Sequence, residues 1–67
     1  MVRLNESQVM RLYNSIELSD NEQIINASYD NDVIYITTKN NNNVKELELY
    51  NIKIINFILN GIKLERN

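Results

Sequence analysis

The chain has 67 residues, a formal net charge of −2, no His, no Cys, no Pro and a single Gly. That inventory excludes a disulfide framework, thiolate or imidazole metal sites, a Ser–His or Cys–His nucleophile and a glycine-rich phosphate loop. Seven basic residues (Arg3, Arg11, Lys39, Lys45, Lys53, Lys63 and Arg66) are scattered, so no Lys/Arg stripe is present to track a phosphate backbone.

The first element is a helix over about 6–17. Val9, Leu12, Tyr13 and Ile16 recur at i, i+3, i+4 and i+7. Asn5 is a good N-cap, and Gln8 three residues later completes a capping box. Leu4 before the cap stands at hydrophobic-staple spacing from Val9. Glu6 suits the positive end of the helix dipole. Ser19-Asp20-Asn21 stops the helix.

Glu22 to Tyr29 reads two ways. Ser19 with Glu22 repeats the capping-box spacing, which allows a short helix. A strand over 23–29 instead places Ile25, Ala27 and Tyr29 on one face and Ile24, Asn26 and Ser28 on the other. Asp30-Asn31-Asp32 is turn chemistry, because Asn and Asp tolerate left-handed backbone. The next strand, 33–38, is β-branched or aromatic throughout. A hairpin with its tip at Asp30–Asp32 is the preferred reading. The helical alternative for 22–29 stays open.

Lys39 to Asn43 reads as a polar loop, followed by a strand over 44–50. In that strand Leu47 and Leu49 face inward and Glu46 and Glu48 outward, with Asn51 as a bend or bulge. From Ile52 to Leu59 the chain is apolar on both faces of a period-two reading. The expected strand over 52–59 turns at Asn60-Gly61, a strong two-residue hairpin signal, into a short strand over 62–64. A helical spacing of Ile52, Ile55, Leu59 and Ile62 is the alternative, but the density of β-branched residues favours strand. The expected fold class is α+β. One N-terminal helix precedes an antiparallel β-meander of four to five strands in a single small domain, the helix lying on one sheet face.

Candidate chemistry is sparse. Glu46 and Glu48 share a strand face, as paired carboxylates of glycosidases and metal sites do, but a solvated face explains them as well. Asp30-Asn31-Asp32 resembles the opening of a calcium loop, yet Tyr35 occupies the position that needs glycine. No catalytic residue, metal site or cofactor is expected. Tyr29, Tyr35 and Tyr50 suit a protein interface or the core better than base stacking, since no basic stripe accompanies them.

A chain this short, without disulfide or metal, ordinarily gains stability from association. One helix covers one sheet face, so another chain on the second apolar face of 52–59 is preferred to internal cover by a curled sheet edge. The expected seam comprises Ile55, Phe57 and Leu59, in a homodimer or against a different protein. Glu17, Asp20, Glu22, Asp30 and Asp32 are the acidic positions expected to meet a basic partner. Met1–Glu6 lacks the apolar run of a secretory leader, and 52–59 is too short to span a bilayer. A cytoplasmic protein with no membrane partner is therefore expected.

Thirteen Asn and ten Ile point to A/T-rich codons, as in a low-GC bacterium or its phages. The functional expectation is a small, non-enzymatic protein-binding module. A phage or mobile-element inhibitor that blocks a host protein, such as a nucleic-acid-handling defence enzyme, fits it. The alternatives are a small nucleic-acid-binding regulator using Lys39, Lys45 and Lys53, and a structural or assembly subunit.

Overall fold

A computed structural model describes residues 1–60. The elements in chain order are β1 (Val2–Arg3), α1 (Glu6–Ser15), β2 (Glu22–Asp30), β3 (Val33–Asn40), β4 (Asn43–Leu49) and α2 (Ile52–Asn60). The four strands form one antiparallel sheet in the order β1-β2-β3-β4. The fold is α+β, with two helices where one was expected. The expected strand over 62–64 lies outside the described residues.

Helix α1 forms as its sequence dictates. Asn5 Oδ1 accepts from the backbone N–H of Gln8 at 2.8 Å, and Asn5 N–H donates to Gln8 Oε1 at 2.9 Å. This reciprocal box satisfies two donors at the helix start. Leu4 and Leu12 enter the core, and Val9 and Ile16 pack against it.

Both hairpins close with two-residue turns. Asn31 and Asp32 have φ of 52° and 66°, the pattern of a type I′ turn, which matches the right-handed twist of the flanking strands. In the second turn, Asn41 alone has positive φ, at 57°. The polar loop expected over 39–43 is thus mostly strand, because Lys39↔Val44 and Asn40↔Asn43 continue the ladder.

Strand β2 differs from the expected alternation. The pairing register shifts between Ile24 and Asn26, so Ile25 is an extra residue without a direct partner. The bulge moves Ile24 to the face of Ala27 and Tyr29 and leaves Ile25 exposed. The Ser19–Glu22 spacing is used without a helix. Glu22 N–H donates to Ser19 C=O at 3.0 Å, while Ser19 N–H and hydroxyl donate to the Glu22 carboxylate. The pair closes a turn that launches β2.

The largest correction concerns residues 52–59, which are helical. Asn51 is the reason locally. Its side-chain oxygen accepts from Lys53 N–H at 3.0 Å and Ile54 N–H at 3.2 Å, and its carbonyl accepts from Ile55 N–H. Asn51 is therefore an N-cap, not a bulge. The tertiary reason is coverage. Pairing Ala27↔Ile36↔Leu47 and Tyr29↔Ile34↔Leu49 builds an apolar inner face that α1 shares with α2. Ile55 and Ile58 are 0% exposed in the cluster with Leu4, Leu12, Ala27, Ile34 and Ile36. Burial of each contributes roughly 1.5–3 kcal/mol, more than the few tenths that Ile loses in a helix.

Candidate interaction surface

Register places the polar side chains. Residues directly opposite on paired strands point to the same face. Arg3, Ser28, Tyr35 and Glu48 thus form one row across all four strands on the face away from the helices. Asn26, Thr37 and Glu46 form the adjacent row. Arg3 apart, these rows and Met1 line a shallow concavity. Ser28 is buried at its centre, whereas Tyr35, Glu46 and Glu48 are exposed. Arg3 donates to Asn26 Oδ1 at 3.2 Å, and the Tyr50 hydroxyl donates to the Glu48 carboxylate. That bond and the nearby negative charge raise the Tyr50 pKa above the ordinary phenol value.

The two edges of the sheet are treated differently. Beside β2, strand β1 pairs with Ser28 and Tyr29, and Leu4 N–H donates to Ala27 C=O at 2.9 Å. Further along, Ile24 N–H donates to the Tyr13 hydroxyl at 2.6 Å, so α1 covers what β1 does not reach. Among the described residues, strand β4 has β3 on one side only. In a two-residue hairpin the residues flanking the turn exchange hydrogen bonds, and the pattern then alternates. Asn43, Lys45, Leu47 and Leu49 accordingly bond to β3. Val44, Glu46 and Glu48 turn their backbone N–H and C=O outward. Their side chains all lie on the outer face.

On the inner face, a buried carboxylate of β2 is fully partnered, in part by β4. Glu22, with a side chain 5% exposed, accepts from Thr38 Oγ1 at 2.7 Å and from Ser19, and pairs with Lys45 Nζ at 3.4 Å. The Thr38 bond is the main cause that holds its carboxyl below the ordinary glutamate range; burial opposes it, and Ser19 and Lys45 lower it further. An inward lysine on an edge strand also discourages indiscriminate strand pairing.

The expected site residues do not converge. Ile55 is at the centre of this chain's own core, and Phe57 and Leu59 are half-buried against it. As a helix, the segment places Ile55 wholly inside this chain, while Phe57 and Leu59 keep part of their surface. Among the acidic positions, Glu22 is buried and bonded. Glu17 and Asp20 lie in the α1–β2 connection, and Asp30 and Asp32 at the far end of β2. At ~3.3 Å per residue, nine residues of strand separate the two groups by more than about 20 Å, too far for one patch. Lys39 is on the outer sheet face, Lys45 on the inner face and Lys53 in the first turn of α2, so these lysines form no common stripe. The outward position of Glu46 and Glu48 was legible from alternation. The bare edge was not, because it depends on which strands become neighbours.

Among the described residues no group of His, Cys, Asp or Glu is arranged to hold a metal ion, and no helix is long and apolar enough to cross a membrane. Comparison with family models, with curated proteins and with solved structures finds no match for this chain.

Proposed function

We propose that this chain is a small, non-enzymatic protein-binding module that docks through the β4 edge and the adjoining outer sheet face. One observation carries the reading. β1 and Tyr13 close one side of the sheet, while three residues of β4 hold outward a row of backbone donors and acceptors. Such an edge supplies main-chain hydrogen bonds to an added strand, and flanking side chains supply selectivity. Tyr35 and Tyr50 beside it are residues favoured at the centre of protein interfaces. Stoichiometric inhibition of a host protein is the mode of action that this surface suits. Stacking of nucleic-acid bases on the two tyrosines is opposed by Glu48, which lies against both and repels phosphate.

Glu46→Pro is the test. The Glu46 N–H faces away from β3, so proline there leaves the ladder intact while its ring obstructs the edge. The wild-type chain and Glu46→Pro, matched for fold by circular dichroism, are used as bait in extracts of the source cells. A stoichiometric protein retained by the wild type and lost with Glu46→Pro supports the reading. Equal retention by both places docking elsewhere, and nuclease-sensitive retention overturns it in favour of nucleic acid.

A further inference from the structure

We infer that the occupant of the β4 edge is an extended segment of a different protein, with Lys or Arg at alternate positions and apolar residues between them. The inference rests on the edge-docking reading and adds the chemistry of the partner.

Self-pairing of β4 is disfavoured by its own charges. Two copies of β4 joined antiparallel about a two-fold axis must pair residues of the same face, so the axis passes through a residue. Centred on Lys45, the pairing sets Lys45 opposite Lys45. Centred on Glu46, it sets Glu46 opposite Glu46. Centred on Leu47, it sets Glu46 opposite Glu48. Every central register therefore opposes like charges, which is destabilising across a ladder. A second copy is the wrong occupant.

The same geometry selects the right one. Val44, Glu46 and Glu48 hold the outward backbone groups, and an added strand sets one residue directly opposite each of them. Those residues share the outer face with the Glu46 and Glu48 carboxylates. Lys39 is the one β3 cation on that face, opposite Val44, and the two carboxylates stand opposite Thr37 and Tyr35. Neither carboxylate is ion-paired among the described residues. Basic side chains at i and i+2 of the incoming strand meet both. The intervening residues point to the inner face beside Leu47 and Leu49, which are half-buried and, among the described residues, have one flank open. An apolar residue there extends the core by a strand. The pattern basic-apolar-basic reads alike in both directions, so it serves a parallel or an antiparallel strand.

The probes are two nine-residue peptides, one alternating valine with arginine and the other valine with glutamate. Amide exchange of the labelled protein is followed at low salt with each peptide at millimolar concentration. The arginine peptide is expected to slow exchange at Val44, Glu46 and Glu48, with affinity about tenfold above the glutamate peptide, as two cross-strand ion pairs allow. The double reversal Glu46→Lys, Glu48→Lys is expected to invert the preference. Equal protection of β4 by both peptides, or a preference unchanged by the reversal, overturns the charge inference and leaves edge docking standing. Protection that persists in Glu46→Pro, or protection of residues other than β4, overturns both. A dimer detected by sedimentation with β4 protected in the absence of peptide overturns the inference in favour of a second copy. Absence of protection by either peptide also overturns it.

Discussion

The Arg11 guanidinium donates a 2.8 Å hydrogen bond to the backbone carbonyl of Ile58. One turn earlier on α1, the Gln8 amide donates to the carbonyl of Leu59 at 3.2 Å. Two polar side chains of α1 thereby hold carbonyls in the last described turn of α2. The two helices that cover the sheet are bonded to each other as well as packed.

Arg11→Met keeps the aliphatic stem and removes the charged donor. We expect a loss of about 1.5–2 kcal/mol in urea unfolding, within the range for a charge-assisted hydrogen bond. Arg11→Lys is expected to recover part of it. A loss below about 0.5 kcal/mol for Arg11→Met shows that α2 is held by packing alone.

Gln8 serves two helices at once, since its oxygen accepts from Asn5 N–H while its nitrogen donates to Leu59. Gln8→Glu preserves the acceptor of the capping box. It replaces the donor with a negative charge facing the Leu59 carbonyl oxygen. We expect Gln8→Glu to destabilise despite being a good capping-box residue, by roughly 1 kcal/mol, and more at neutral pH than at low pH. Equal stability of the two forms at both pH values argues that the Leu59 contact contributes nothing.

Asn51→Ala removes the cap of α2 at a cost of about 1 kcal/mol, with local exchange rates rising in the first turn of that helix. Ile55→Ala empties a fully buried position and is expected to cost about 2–5 kcal/mol, enough to unfold much of so small a protein. Ile52→Ser, at a residue 49% exposed, is expected to cost far less. Chemical denaturation separates these from a partner seam: substitution at a seam leaves the isolated chain's stability unchanged.

Glu22 makes the fold sensitive to acid. Its carboxyl titrates lower in the folded chain than in the unfolded one, because the Thr38 hydroxyl bond favours the ionised form. The stabilisation is present above the unfolded glutamate pKa and is lost as pH falls through the lower folded value. The difference in stability between wild type and Glu22→Gln, measured from neutral pH down to about pH 3, is expected to shrink across that window. A difference independent of pH shows that Glu22 acts through its shape and not its charge.

Asn41 holds positive φ at the first central position of its turn, where glycine is the favoured residue. Asn41→Gly is expected to stabilise by about 0.5 kcal/mol, and Asn41→Val to destabilise by more than that, since β-branched residues tolerate the left-handed region poorly. Thermal unfolding of the two variants decides it; the reverse order excludes a backbone origin.

Local patterns alone determined much of this molecule. The Asn5–Gln8 box, the stripe of Val9, Leu12 and Ile16, the Asn31-Asp32 turn and the alternation of Leu47 and Leu49 with Glu46 and Glu48 each depend on neighbours a few residues apart. They are visible in the chain for that reason. The apolar segment beginning at Ile52 was legible only as buried, since Ile and Phe serve a helix or a strand equally once covered. Asn51 carried the decisive local signal, an N-cap ahead of Ile52, Ile55 and Leu59, but a bend residue looks the same in one dimension. What the tertiary structure decided was coverage. α1 leaves part of the inner sheet face bare, and a helix lays Ile55 and Ile58 onto it together, where a strand would send neighbouring residues to opposite sides. The same decision moved the candidate surface from 52–59 to the outward amides of Val44, Glu46 and Glu48. An open edge is a property of strand order, and strand order is set by contacts between residues far apart in the chain.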